Sequence, residues 1–352
     1  MIARRALVVT ALLGALAAGC NRRPQLVPAG ADSGAPSDSF AIFARLASQR
    51  WDTGDNAGAA ELTARVVRDG LASAGTTTWA ERTRSLLDSL SIGAEIAVAD
   101  RVLMVNLFPR YAAEGPSWPY FYWHEPTGIQ AQSVDGGGMR LHAIATRGFG
   151  ANGVPVDSSQ VAVMWTKRSG AGQQPILLVW RRGKNTRWNL MQTLGPDSLG
   201  GTGSGEFSGS GRGTEFAVRT YRPTQYFDEC ATCPHVFHQR RFIWQREGFQ
   251  RLDDHEVPSP YTTFTSFIAA LISGDFERAQ RYVADPALID FAKRFEWNDV
   301  SRGRWRVAPA TDESAVEMVF FRGANDAFRV AFEPRGSDWV ILGFEATQRS
   351  VE

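Results

Sequence analysis

Apolar side chains recur with the period of a helix between residues 38 and 93. The break Thr53-Gly54-Asp55 separates the first two runs, and the spacing of Thr78 and Glu81 matches a capping box at the start of the third. The pattern predicts three helices, the first two of which form a hairpin. The apolar positions that define these helices are Phe40, Phe43, Leu46, Ala47, Leu62, Val66, Val67, Leu86, Leu87 and Leu90.

From residue 94 to residue 256 the apolar period changes to two, which is typical of half-buried β-strands. Clusters of Gly, Pro, Asn and Asp separate the alternating segments. This favours an antiparallel all-β domain, built as a sandwich, a barrel or a propeller-like stack of sheets. The glycine- and serine-rich segment Gly195–Gly213 is predicted to be a long surface loop. The predicted strands are Ile96–Leu107, Tyr120–His124, Met139–Thr146, Gln160–Thr166, Ile176–Arg181, Arg187–Thr193, Glu215–Tyr221 and Val236–Gln245.

A linker, Val257-Pro258-Ser259-Pro260, precedes a third region. Helical spacing comes first there and two-residue alternation follows, so residues 257–352 are predicted to form an α+β domain. We expect the fragment 258–352 to fold by itself, since it has its own helices, sheet and aromatic residues. The predicted helices are Tyr261–Ser273, Phe276–Val283 and Pro286–Phe295, and the predicted strands are Arg304–Ala308, Ala315–Arg322, Ala327–Glu333 and Trp339–Ala346.

The sequence FIAALISGDFERA over residues 267–279, with Gly274 and Asp275 at its turn, resembles the first helical pair of NTF2-like domains. This resemblance covers residues 258–352 and implies that a long helix and a short helix close the mouth of a conical sheet. Such folds host enzymes, ligand carriers and inert modules, so the resemblance does not specify a function. The whole chain is therefore predicted to be a multi-domain α+β protein.

The N-terminal residues have the layout of an export signal. Arg4 and Arg5 precede the apolar run Ala6–Gly19, which is too short to cross a bilayer because a spanning helix needs about 20 apolar residues. The run ends in Leu16-Ala17-Ala18-Gly19-Cys20, which resembles the lipobox of bacterial lipoproteins. That resemblance implies that residues 1–19 are a signal peptide and that Cys20 becomes the N-terminus and carries acyl chains such as palmitate.

The lipobox also implies a location in the cell. A protein with a lipidated cysteine is attached to the inner or outer membrane of the cell envelope and faces the periplasm or the cell surface. Residues 20–37 contain scarcely an apolar side chain, so we expect them to be a flexible tether between the lipid and the folded regions.

Charge argues against nucleic acid as a partner. The formal net charge of the chain is +1, and removal of residues 1–19 takes away two arginines and no acidic residue, which leaves −1. No basic excess remains to bind phosphates. The eleven tryptophans favour an aromatic core, with a carbohydrate-binding platform as the alternative interpretation.

Cys230 and Cys233 are the two cysteines that remain once Cys20 is lipidated, and a disulfide across a turn is the simplest interpretation in an oxidising compartment. Pro234 stands where a c-type haem site needs histidine. A redox dithiol would need a helix start, whereas a strand is predicted next. Zinc held by both cysteines, His235 and His238 is the less favoured alternative, because alternating strand positions would send the two histidines to opposite sides.

No catalytic residue, metal or cofactor is predicted, because the sequence has no nucleophile elbow, no metalloprotease motif and no phosphate-binding glycine loop. The first hypothesis is a non-catalytic envelope lipoprotein that binds or scaffolds an envelope protein or a small ligand. The second is an envelope hydrolase acting on a carbohydrate or another cell-wall substrate, which a cleft with convergent acids of perturbed pKa would favour.

We expect the substitution Cys20→Ser to move the protein from the membrane fraction to the soluble fraction, or to leave it unprocessed, because acyl transfer needs the thiol. Cell fractionation followed by immunoblotting measures the distribution. Cys230→Ser is the matched control and should leave the protein in the membrane fraction. A Cys20→Ser protein that remains firmly membrane-bound would exclude the lipid anchor.

Overall fold

The computed structural model describes residues 38–72, 74–110, 115–147, 157–170, 172–210, 213–308 and 311–347. These residues form a mostly β structure with seven α-helices and four open antiparallel sheets of four strands each. Neighbouring strands follow one another along the chain in all four sheets. The predicted signal peptide, Cys20 and the whole predicted tether, residues 20–37, lie outside the described residues.

The helices and strands have the following bounds. The helices are α1 Asp38–Thr53, α2 Asn56–Leu71, α3 Trp79–Ser89, α4 Pro196–Leu199, α5 Pro260–Ser273, α6 Phe276–Gln280 and α7 Ala287–Arg294. The first and second sheets contain β1 Gly93–Ala99, β2 Val102–Phe108, β3 Trp118–Glu125, β4 Gly128–Ser133, β5 Arg140–Arg147, β6 Asp157–Ser169, β7 Gly172–Arg182 and β8 Trp188–Leu194. The third and fourth contain β9 Thr202–Ser210, β10 Gly213–Tyr221, β11 Phe237–Gln245, β12 Gly248–Glu256, β13 Trp305–Val307, β14 Glu317–Arg322, β15 Asp326–Arg335 and β16 Asp338–Ala346.

Helices α1 to α3 lie where the helical period predicts them, and α2 begins at a capping residue. Asp55 accepts a hydrogen bond from the backbone N–H of Gly58 at 3.3 Å, which satisfies one of the unpaired donors of the first turn. The expected capping box of α3 is wrong. Thr78 makes no side-chain cap, because its hydroxyl donates to the carbonyl oxygen of Gly75 instead.

The first three sheets stack face to face, and the strands between two layers are apolar on both sides. In β2, Leu103 and Val105 belong to the core beneath the helices, whereas the alternate residue Met104 belongs to the core between the first and second sheets. The second sheet follows the same rule, since Val163 and Met164 point to opposite cores. Two-residue alternation therefore fills three successive apolar layers.

One predicted strand is in fact two strands, and three strands, β4, β9 and β12, were not predicted. Ile96–Leu107 contains a tight turn at Asp100, whose φ of 51° lets the chain reverse, so β1 and β2 form a hairpin. The missed strands β4 and β12 are edge strands rich in polar residues. An edge strand needs no apolar run, because one of its sides has no neighbouring strand.

The predicted loop over Gly195–Gly213 is also wrong, because the described part of that segment forms α4 and β9. The glycines permit close approach to neighbouring groups. A Cβ on Gly203 would lie 2.1 Å from the carbonyl oxygen of Arg219 on the paired strand, and a Cβ on Gly200 would lie 1.6 Å from Nη1 of Arg240. The glycine content therefore serves tight packing at these positions.

In the C-terminal region α5 packs on the fourth sheet around an aromatic core. Phe264 stacks on Phe320 with ring centroids 3.7 Å apart, and Trp297 and Trp305 surround the pair. The segment between β10 and β11 also enters this core, since Phe227 is 1% exposed and pairs with Trp305 in a parallel bridge. A residue from the preceding region thus completes the C-terminal core.

We expect Phe227→Ala to lower the free energy of unfolding by about 3–5 kcal/mol, the usual cost of truncating a buried Phe. Hydrogen exchange should show the loss of protection in α5 and β14. Phe249→Ala, in the core between the second and third sheets, is the matched control. Its loss of hydrogen-exchange protection should fall in β7 and β10. A Phe227→Ala protein destabilised by less than about 1 kcal/mol would contradict this role of the segment.

Candidate functional site

A cleft of about 440 Å³ lies where one end of the third sheet meets α4 and α5. Thirteen residues line it, and of these only Val236 and Ala269 have apolar side chains. Three arginines, one histidine and two carboxylic acids are among the others. The composition makes the cleft a site for a polar molecule.

A β-bulge brings the charged side chains of β11 and β12 to one face. Phe242 pairs with Arg251 and Arg241 pairs with Asp253, so Leu252 has no partner and the alternation of β12 shifts by one residue. Arg251 and Asp254, which have opposite parity in the sequence, consequently face the same side. Their atoms Nη1 and Oδ2 are 3.3 Å apart.

Arg240 is the best-fixed cation of the cleft, with a side chain that is 15% exposed. Its Nε donates to Oδ2 of Asp254 at 3.0 Å, and its Nη1 donates to the carbonyl oxygen of Leu199 at 3.1 Å and to the hydroxyl of Thr220 at 3.2 Å. Within the described residues its Nη2 has no hydrogen-bond acceptor. The guanidinium group is therefore held rigidly with one nitrogen available to a ligand.

His238 and Glu256 face each other across β11 and β12 at the side of the cleft nearest α5. Nδ1 of His238 is 3.5 Å from Oδ1 of Asp254, and its Nε2 is 4.0 Å from Oε2 of Glu256. Burial raises the pKa of Glu256 above its usual value, although His238 and Arg278 oppose the rise. The cleft thus contains a carboxyl group that accepts a proton more readily than an exposed one.

A second polar cluster is buried behind the cleft, in the segment between β10 and β11. Tyr261 on α5 donates a hydrogen bond to Oε1 of Glu229 at 2.8 Å, the backbone N–H of Thr224 donates to Oε2 at 3.2 Å, and Nδ1 of His235 lies 3.3 Å from the same oxygen. The ring of His235 stacks on Tyr221 at a centroid distance of 3.5 Å. These contacts join the segment to both the third sheet and the C-terminal core.

The carboxylate of Glu229 is stabilised in its charged form. Burial by itself would raise the pKa of Glu229, but the hydrogen bonds from His235, Thr224 and Tyr261 outweigh it and lower the pKa below its usual value of 4.5. Burial and the neighbouring Glu229 carboxylate in turn raise the pKa of Tyr261 far above its usual range. We assign this cluster a structural role, because its hydrogen bonds to Glu229 tie the segment between β10 and β11 to α5. Within the described residues, Nε2 of His235 and the hydroxyl of Thr224 are buried without a hydrogen-bond partner.

Cys230 and Cys233 form a turn in the same segment, with their sulfur atoms 2.14 Å apart in a disulfide. A sulfur in a disulfide is not a thiolate ligand, so the oxidised pair does not bind zinc. The histidines of the zinc hypothesis also separate, since His235 joins the Glu229 cluster and His238 lines the cleft. Across the described residues, no group of three or more His, Cys, Asp or Glu side chains is placed to hold a metal ion.

Sequence reasoning missed the cleft, because its residues come from segments with no recognisable motif. Asp253 and Asp254 lie within β12, which was not among the predicted strands. The charged run Arg251 to Glu256 interrupts the alternation, and the bulge that organises it leaves no sequence signal of its own. Arg222 follows β10 of the third sheet and α4 follows β8 of the second, so the two come together only because these sheets stack.

The sequence matches no protein-family model and no curated protein. The function is therefore argued from the geometry of the cleft. In the described part of the chain, no helix is long and apolar enough to cross a membrane.

We expect Glu229→Gln to lower the free energy of unfolding at pH 7 by about 2 kcal/mol, because hydrogen bonds to a charged group are lost. The native pKa of Glu229 is lowered, so its stabilisation is present above about pH 4.5 and is lost as the pH falls through the native pKa. The difference between wild type and variant in urea unfolding should therefore shrink below about pH 4.5. Glu247→Gln, at an exposed position, is the control. If the difference in unfolding free energy between wild type and Glu229→Gln did not depend on pH, the stabilisation could not be assigned to the charged form of Glu229.

Proposed function

We propose that this protein is a lipid-anchored, non-catalytic protein of the bacterial cell envelope that binds a small polar ligand in the cleft between its third sheet and α5. The cleft is the observation that carries the binding role. Its volume of about 440 Å³ lies within the range of small-molecule sites, and its lining offers several convergent polar groups. The lipobox that ends in Cys20 supports the anchor, with the membrane as the partner of the lipid.

We also propose that the C-terminal region is NTF2-like. A long helix and a short helix precede its four-stranded sheet, as that family would require. Gly274 ends α5 with a φ of 73°, and Asp275 caps α6 by accepting a hydrogen bond from the N–H of Arg278 at 3.0 Å. The Gly-Asp pair on which the resemblance rests thus has a defined role in the turn.

The second candidate is the envelope hydrolase, and Glu256 is the observation that favours it. A carboxyl group of raised pKa in a polar cleft has the property that a general acid needs. Wild-type protein that releases product from a bound saccharide, together with a Glu256→Gln variant that binds but does not turn over, would establish this candidate in place of the binding role.

We expect at least one of a panel of sugars, sugar acids, sugar phosphates and amino acids to raise the melting temperature of the wild-type protein, since a ligand stabilises the folded state it binds. Ser266→Trp places a large ring in the cleft and should abolish this increase. Ser273→Trp, two turns further along α5 and outside the cleft, is the matched control. A panel in which no compound gives an increase that Ser266→Trp removes would refute the binding site.

A further inference from the structure

We infer that the cleft recognises an acidic saccharide, meaning a molecule with one carboxylate or phosphate group among several hydroxyls. This inference rests on the proposed binding function and specifies its ligand. It follows from two features of the lining. Several guanidinium nitrogens have no acceptor within the described residues, and hydroxyl and carboxyl groups surround them.

The guanidinium groups supply the site for the oxyanion. Asp254 is the carboxylate that both Arg240 and Arg251 contact, so one negative charge is shared between two cations. Nη2 of Arg240 and the Nε and Nη2 atoms of Arg251 have no acceptor within the described residues. Arg222 adds a third guanidinium group, whose Nη2 donates to the carbonyl oxygen of Asp197 at 3.1 Å and whose other nitrogens are unpaired there. Unused donors of this geometry bind carboxylate and phosphate oxygens.

The rest of the lining suits hydroxyl groups. The hydroxyls of Ser198 and Ser266 border the cleft and make no hydrogen bond within the described residues. Asp197 and Glu256 bring acceptors that a sugar hydroxyl can donate to. A small polyol with alternating donors and acceptors satisfies such a mixture.

Charge and polarity narrow the ligand class further. Two carboxylic acids stand beside the three arginines, so the lining is only slightly basic and favours a single anionic group over a polyanion. With Val236 and Ala269 as the apolar side chains, the cleft has little surface for an acyl chain or an aromatic ring.

The test is titration calorimetry of the full protein, supported by saturation-transfer NMR for weak binding. D-glucuronic acid and D-glucose 6-phosphate represent the two oxyanions, and D-glucose and inorganic phosphate represent each half of the ligand alone. We expect one of the two acidic sugars to bind at least about tenfold more tightly than glucose and phosphate, since hydrogen bonds to a charged group discriminate by that factor or more. Preference between the two acids identifies the oxyanion.

Variants assign the binding to the arginines. Arg251→Ala should weaken binding of the acidic sugar at least about tenfold, and its side chain is 60% exposed, so the protein should still fold. Arg240→Lys keeps the charge and removes the fork of donors, and should also weaken binding. Arg246→Ala is the control, because this arginine is 87% exposed in the turn between β11 and β12, outside the cleft.

The outcomes separate the ligand class from the function. If glucose binds as tightly as the acids and Ser266→Trp abolishes its binding, the cleft is a binding site but the ligand is not acidic, which overturns the inference alone. Equal losses in Arg246→Ala and Arg251→Ala would also overturn it. If none of the four probes binds, the inference fails, and if the wider panel also fails, the proposed function fails with it.

Discussion

The structure depends on strands that bury both of their faces. In β3, Tyr120 and Tyr122 pack beneath the helices, while Phe121 and Trp123 pack against the second sheet. A strand with two apolar faces is stable only between two layers. Helices α1 to α3 on one side and the second sheet on the other provide those layers, and the second sheet needs the third for the same reason.

The third sheet packs only part of its inner face on the second sheet, because that face changes from apolar to charged along β11. In β11, Phe242 and Trp244 point into the core shared with the second sheet, whereas Arg240 and His238 continue the same face toward α4 and α5. Burying these charges under another apolar layer would be costly unless each were paired. The result is a polar cleft at the point where the apolar stacking stops.

Central strands and amphipathic helices were predictable, because each has an apolar period set by the layer it contacts. The edge strand β4 was not, since Gln132 contributes through hydrogen bonds to the backbone of Trp188 instead of through apolar burial. The glycine-rich segment was misinterpreted for a related reason. Glycine permits either a flexible loop or a close contact, and the tertiary neighbour Arg240 decides which one forms at Gly200.

The candidate site was harder to predict, because the walls of the cleft are fixed by a segment that joins the third sheet to the C-terminal core. Residues 222–236 contribute Arg222, Thr224 and Val236 to the lining. The same segment inserts Phe227 into the C-terminal core and ties Glu229 to Tyr261 of α5. Since α5 forms the opposite wall of the cleft, the contacts that hold the segment also set the distance between the two walls. Such a site is a property of the junction, and no single stretch of sequence encodes it.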